Sequence, residues 1–165
     1  MLRHLLIMRH AKSSWDDESL NDHDRPLNKR GRKAADKVAQ VLNAKGYAPD
    51  TIWCSDAVRT KETATRLIRI IPGTQTVFHQ PKFYMASSDT VLQLCASAEE
   101  PNRNLMLLGH NPGWEDLFEH FSGQYHRYPT GACGVFARKD ETASWLSPTA
   151  WQFKELLLPR ELTSE

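Results

Sequence analysis

The sequence predicts an α/β domain built on a mostly parallel sheet. Short apolar runs of strand length stand at 4–9 ("HLLIMR"), 51–54 ("TIWC") and 104–110 ("NLMLLGH"). Between them lie longer segments whose apolar residues recur at helical spacing. The 165 residues are 40% hydrophobic and 25% charged, a balance that suits one globular core. Strand alternating with helix is the pattern of a parallel sheet covered by helices. A single domain over 1–165 is expected.

"HLLIMR" is too short for a helix and too apolar for a surface turn, so it reads as a buried strand. Residues 27–46 then read as a helix. Asn28 is its expected N-cap, Ala34, Ala35, Val38, Val41 and Leu42 form its inner face, and Gly46 suits its C′ position. After the strand 51–54 comes a helix over 56–71, with Ala57, Thr60, Ala64, Leu67, Ile68 and Ile71 turned inward. "QTVFH" (75–79) is a third strand. Residues 88–100 form a helix capped by Ser88 or Asp89. After the strand 104–110, residues 112–123 form a helix with Pro112 near N1 and Gly123 past its end. The tail reads as two strands, 132–138 and 150–158, joined by a polar turn and added antiparallel to the sheet.

Composition narrows the function classes. The net charge of +1 gives no overall basic field for nucleic acid or an anionic membrane. Lys29-Arg30 and Arg32-Lys33 read as a solvated helix face. The apolar run 5–8 is shorter than the core of a signal peptide, and no segment approaches the ~18 apolar residues of a membrane helix. Cys54, Cys95 and Cys133 are odd in number and widely spaced. They make neither a disulfide framework nor a CxxC metal site, and reduced, buried thiols in a cytoplasmic protein are expected.

In open α/β sheets the ligand sits outside the carboxyl ends of the strands. One strand here ends in Arg9-His10. Another ends in Ser55-Asp56, with Arg59 in the first turn of the next helix. A third ends in Gly109-His110, followed by Asn111-Pro112-Gly113. Each piece alone has an ordinary explanation: Arg59, for instance, has Glu62 within reach along its helix. Together they bring two arginines, two histidines and two helix N-termini to one sheet edge, a composition suited to a phosphate group. Arginine forks bind its oxygens bidentately and stay charged at any working pH. With that charge neutralised, a neutral imidazole can attack phosphorus, provided one ring nitrogen donates to a fixed acceptor and leaves the other bare. A second histidine, if protonated, can donate to an equatorial oxygen, and such a donor supplies ~3–4 kcal/mol.

The motifs Arg9-His10-Ala11, Ser55-Asp56-Ala57-Val58-Arg59-Thr60 and Gly109-His110-Asn111 resemble those of the histidine phosphatase superfamily, the phosphoglycerate mutase-like fold. "RHAKSSW", "DHDRPLNKRG" and the small size resemble its compact branch, the SixA-type phosphohistidine phosphatases. The resemblance runs from Leu5 to about Leu158. It implies a three-layer α/β/α sandwich and a phosphohistidine intermediate formed without metal or other cofactor. It implies His10 as the nucleophile, Arg9 and Arg59 as phosphate-binding arginines, and His110 as the second histidine. Ala11 stands where the commoner motif has glycine.

Many members of the superfamily carry a carboxylate general acid after the third strand, within an insertion. Here "PKFYMASSD" (81–89) has aromatic and small residues instead. An alkoxide leaving group needs a proton badly, whereas the imidazole released from phosphohistidine is a better leaving group. The missing acid therefore favours an N–P substrate. Asp22, Asp24 and Asp89 are secondary candidates for an acid. Without an insertion the site should be open and shallow, which suits a histidine on another protein's surface. The expected partner is a phosphohistidine-bearing protein or a small phosphorylated molecule, with no nucleic acid or membrane, and the chain is taken as a monomer. The alternatives are a small-molecule phosphomonoesterase on the same scaffold and a non-catalytic phosphate-binding module.

Lys12, Ser13, Ser14 and Trp15 follow the proposed nucleophile, with Ser13 the better candidate for a substrate contact. Asp16 would repel phosphate. Asp22-His23-Asp24 matches no metal-ligand spacing, and Arg25-Pro26 beside it marks a turn. Gly31 lowers the propensity of the first helix, a cost that close packing against the catalytic loop explains. Trp53, Trp114, Phe118 and Phe121 are expected in the core. His79, His120 and His126 have no partner pattern.

Overall fold

A computed structural model describes residues 1–162. Ten elements of regular structure position the site: β1 Leu2–Arg9, α1 Lys29–Ala44, β2 Thr51–Cys54, α2 Val58–Ile70, β3 Thr76–His79, α3 Ser88–Ala96, β4 Arg103–Gly109, α4 Gly113–Ser122, β5 Cys133–Arg138 and β6 Trp151–Leu157. The six strands form one sheet in the order β3-β2-β4-β1-β5-β6. β3, β2, β4 and β1 pair in parallel, while β5 runs antiparallel between β1 and β6. The fold is the expected mostly parallel α/β/α sandwich.

The central strand explains the layering. Side chains alternate across a strand, so the apolar run in β1 feeds two cores. Leu5 and Ile7 join one with Trp114, Leu117 and Phe118 of α4 and Val91 of α3. Leu6 and Met8 join the other with Val38 and Leu42 of α1 and Ala64 and Leu67 of α2. All four strand residues are completely buried. Burial at this level stabilises by about 1.5–3 kcal/mol for each large apolar side chain. Residues 5–8, sequestered on both faces, therefore read as an unbroken apolar run flanked by polar residues.

Several element details differ from the sequence reading. β1 begins at Leu2 because Leu2 is itself fully buried, ahead of an irregularity in pairing between Leu2 and His4. The cap of α3 is Ser87, whose hydroxyl accepts from the Thr90 amide. That helix stops at Ala96, where Ser97 turns its hydroxyl back onto the Gln93 carbonyl. Ile68 is on the outer side of α2, and Thr63 takes the buried position. The turn between β5 and β6 is less polar than expected. Trp145 is buried there, and its carbonyl accepts from the Trp151 indole across 2.7 Å.

Asn28 does cap α1, accepting from the Gly31 amide at 2.8 Å. Gly46 has φ +77° just past the C-cap Lys45, as the C′ position favours. The three cysteines are free and buried. Burial raises their thiols, Cys54 and Cys95 to about 12.

Candidate active site

Strand register delivers the two histidines side by side. Arg9 pairs with Gly109 across β1 and β4, and the His10 amide donates to the Gly109 carbonyl at 3.0 Å. His10 and His110 therefore leave the sheet at the same level, with ring centroids 5.1 Å apart. β2 ends beside them, since Cys54 pairs with Leu108. Gly109 has a packing reason. A Cβ there would lie 2.4 Å from the Trp114 ring, so any other residue pushes α4 away from the strand end.

His10 is buried, and the chain around it is tied to α2 and to the segment before β5. The Ala11 amide donates to Thr63 Oγ1 at 3.1 Å, the Thr63 hydroxyl donates to the Arg59 carbonyl at 2.7 Å, and the Gly131 amide donates to the His10 carbonyl at 2.9 Å. The side chain is oriented by its neighbour. His10 Nδ1 lies 2.6 Å from the Ala11 carbonyl oxygen. A carbonyl only accepts, so Nδ1 carries the proton and Nε2 keeps its lone pair. Arg59 Nε donates toward that Nε2 at 3.3 Å. Burial pushes the His10 pKa well below 6.5, with the nearby His110, Arg59 and Arg9 adding to the effect. The ring is neutral at physiological pH.

His110 sits in a second hydrogen-bonded pocket. Its Nε2 is 2.6 Å from Ser55 Oγ and 3.2 Å from Thr60 Oγ1. Its Nδ1 is buried without a partner among the described residues. Burial lowers its pKa to about 3, and Arg59 pushes in the same direction. His110 is therefore neutral rather than the imidazolium considered from sequence. Hydroxyl donation from Ser55 or Thr60 into Nε2 would leave Nδ1–H as a free donor.

Arg9 and Arg59 flank the cleft. Arg9 Nη1 donates to the Tyr128 carbonyl at 3.1 Å, while its Nε is buried and unpartnered among the described residues. Arg59 is almost fully buried. Its Nη1 donates to the Asp22 carbonyl at 2.7 Å and its Nη2 to Asp22 Oδ2 at 3.0 Å. Asp22 also takes Arg25, whose Nη2 donates to Oδ1 at 3.1 Å, and the Tyr84 hydroxyl. Although partial burial works the other way, the Tyr84 and Arg59 bonds hold the Asp22 carboxyl well below the usual carboxylate range. Asp22 is thus an ionised group in the cleft and a poor proton donor at neutral pH. Asp24 points instead at His23, and Asp89 lies exposed on α3.

These groups line an open cleft of about 440 Å³ that includes Arg9, His10, Arg59 and His110 together. Ser13 is on its wall, where its hydroxyl accepts from Arg25 Nη1 at 2.8 Å. Trp15, 74% exposed, covers the Arg25 guanidinium with its ring 3.5 Å away, a cation–π contact at the rim. Asp22-His23-Asp24 forms a single 3-10 turn, with His23 Nε2 donating to Asp56 at 2.8 Å. That bond raises the His23 pKa. No group of three metal-ligating side chains occurs among the described residues.

Sequence reasoning passed over Arg25 and Tyr84. Tyr84 follows β3, so the rule that ligands gather at strand ends applied to it. Its stretch was read only for a missing carboxylate. The ring in fact stands edge-on to His110 at 5.4 Å.

Gly31 shows why the residues after His10 stay in place. A Cβ there would fall 2.1 Å from the Lys12 carbonyl oxygen, so α1 abuts the loop after His10 without a gap. The Asn28 amide donates to the same carbonyl at 3.0 Å.

The family model described as histidine phosphatase superfamily (branch 1) matches residues 5–79. An uncharacterized chloroplastic protein of Arabidopsis thaliana is 36% identical over 170 residues, covering 95% of this chain and 78% of that protein. An uncharacterized protein of Mycobacterium tuberculosis is 32% identical over 105 residues, which is 64% of this chain and 63% of the relative. Among solved structures, one assigned as the phosphohistidine phosphatase SixA of Agrobacterium tumefaciens superposes with TM-score 0.80. It has 27% identity and covers 95% of this chain and 98% of its own. The protein histidine phosphatase SixA complexed with tungstate, at 16% identity, shares the fold with TM-score 0.73 over 95% of this chain and 97% of its own. These likenesses support phosphatase activity. Sequence relatives, sheet topology and strand-end motifs agree, and the chain belongs to the histidine phosphatase superfamily, on its compact SixA-type side.

Proposed function

We propose that this protein hydrolyses phosphohistidine carried on a protein, through a covalent phosphohistidine intermediate on His10. The observation that carries the reading is the fixed tautomer of His10, with Nδ1–H on the Ala11 carbonyl and an unprotonated Nε2 that accepts from Arg59 Nε. A neutral, oriented imidazole in a cationic cleft is a nucleophile for phosphorus. We read residues 1–165 as one catalytic domain.

Arg9 and Arg59 bind the phosphoryl oxygens, Arg59 exchanging part of its pairing with Asp22 for the anion. His110 donates through Nδ1–H to a further oxygen, where negative charge grows in the transition state. The His10 Nε2 lone pair forms the new N–P bond as the N–P bond of the substrate breaks. The departing imidazole takes a proton from water in the open cleft. Water then attacks the phosphorylated His10, releasing inorganic phosphate and returning the free imidazole. Among the carboxylates in the cleft, Asp22 is held ionised by its hydrogen bonds, so no strong acid waits for an alkoxide. This supports an N–P over an O–P substrate. The Ser13 hydroxyl, accepting from Arg25, remains free to donate to substrate at the wall.

Turnover of a phosphohistidine protein, a phosphoserine peptide and sugar phosphates tests the reading. Preference for phosphohistidine of at least a hundredfold in kcat/KM is expected. A strong preference for an O-phosphate ester would overturn it.

A further inference from the structure

Beside the catalytic cleft runs a second groove of about 340 Å³. Lys12, Arg30, Lys33, Lys37 and Arg160 line it, and no carboxylate does. The whole chain has 21 basic and 20 acidic residues, so this segregation is local. Lys12, Arg30, Lys33 and Lys37 make no ion pair with any described residue. Lys12 and Thr130 line both the groove and the catalytic cleft, so the two are continuous.

The helix gains nothing structurally from these cations. The first turn of α1 contains no acidic residue and begins Lys29-Arg30, although the helix dipole favours carboxylates there. Lys29, Lys33 and Lys37 follow one another at four-residue spacing, where like charges repel. Charges that weaken their own helix and have no internal partner are suited to an external one. The distance to the cleft is also fixed, because α1 is pinned to the Lys12 backbone by Asn28 and by the contact at Gly31.

We propose that this groove binds carboxylates flanking the phosphorylated histidine on the substrate protein, making the enzyme selective for phosphohistidine in an acidic segment. The inference rests on the phosphohistidine reading above. From Arg30 to Lys37 the cations span about 10 Å of helix, the reach of roughly three residues of extended chain. A second phosphate on a small molecule would need only one contact. No aromatic side chain lines the groove, and single-stranded nucleic acid is ordinarily held by stacking as well as charge.

The test uses two phosphohistidine peptides of equal length, with three glutamates or three glutamines beside the phosphohistidine. The full chain should favour the glutamate peptide at least tenfold in kcat/KM at low salt, and the preference should shrink at high salt. Lys33→Glu/Lys37→Glu should remove the preference while leaving para-nitrophenyl phosphate hydrolysis unchanged. Equal turnover of the two peptides by the unaltered chain, or a preference retained in the variant, overturns the proposal. The unphosphorylated glutamate peptide provides a separate binding measurement, in which the variant should bind at least tenfold more weakly. If neither phosphohistidine peptide is turned over but this binding difference appears, the groove stands and the substrate reading fails. A groove that binds tripolyphosphate or oligo-dT but not the glutamate peptide also overturns it.

Discussion

The ring of His10 is oriented by the backbone of the next residue, its Nδ1–H meeting the Ala11 carbonyl at 2.6 Å. No side chain intervenes, so this imidazole is oriented without a carboxylate. Replacing His10 by Ala should lower kcat by a factor on the order of 10³ or more. It should also abolish any phosphorylated protein trapped by rapid quench and read by mass spectrometry. Phosphate retained on the His10→Ala chain at stoichiometric level would place the nucleophile elsewhere.

Arg59 is nearly buried and bridges His10 Nε2 and Asp22. Arg59→Lys keeps the charge but loses the planar fork. Its kcat/KM should fall about a hundredfold, a difference of about 2.7 kcal/mol in transition-state binding. Steady-state kinetics with either phosphohistidine or para-nitrophenyl phosphate reads this. A variant at full activity would leave Arg59 outside the phosphate clamp.

Asp22 holds a negative charge in the cleft that the proposed function gives to the anion. Asp22→Asn should therefore tighten inhibition by tungstate about three- to tenfold, measured as Ki at fixed pH. Because the carboxyl is ionised, its loss should change kcat on phosphohistidine by less than about fivefold. A collapse of kcat by about a hundredfold or more would instead make Asp22 the proton donor.

Acid should destabilise the fold from pH 6.5 downward. Burial lowers the pKa of His10, and that of His110 to about 3. The unfolded chain thus binds more protons than the folded one below about 6.5, and stability falls with pH there. Asp22, also lowered in the fold, adds a further loss below its unfolded value of 3.8. Thermal midpoints should rise slightly as pH falls from 8 toward 6.5, because the bond to Asp56 raises the His23 pKa in the fold, and decline between 6.5 and 5 as the two buried histidines dominate. The decline should be shallower in His10→Gln/His110→Gln. Imidazole carbon shifts should show neither ring titrating near 6.5, and such a titration of either would contradict the burial argument.

Gly31→Ala tests the contact between α1 and the loop after His10. In a free helix the change gains up to about 1 kcal/mol. Here the new methyl would stand 2.1 Å from the Lys12 carbonyl oxygen, and overpacking of this kind costs about 1–3 kcal/mol. The midpoint should drop and kcat should fall with it, because the loop after His10 must move. A midpoint raised by the substitution would show that the contact yields freely.

The strand ends were legible because Arg9-His10 and Gly109-His110 each close an unmistakably apolar run, and the parallel pattern places such ends on one edge. Arg59 was legible as the first turn of the helix that follows β2. Ser87 as a cap, the exposure of Ile68 and the burial of Trp145 were not, because each depends on what packs against the segment rather than on its own pattern. Tyr84 was hidden among aromatic and small residues in a stretch read only for a carboxylate. The cations of α1 looked like ordinary solvated surface, and only the neighbouring Lys12 and Thr130 make them one wall of a groove.

By itself the sequence determined the α/β class, the two histidines and two arginines, and the family. Those follow from residue type and spacing along the chain, which local periodicity and ordered motifs record directly. The tertiary structure alone decided the protonation of the site. Which nitrogen of His10 is bare, that His110 is neutral and that Asp22 is ionised depend on burial and on groups remote in sequence. Ser55 and Thr60 meet His110 from another strand and helix, and Asp22 reaches Arg59 across 37 positions. Desolvation and hydrogen bonding act through space, so a linear pattern names the groups in the site but not their charge states.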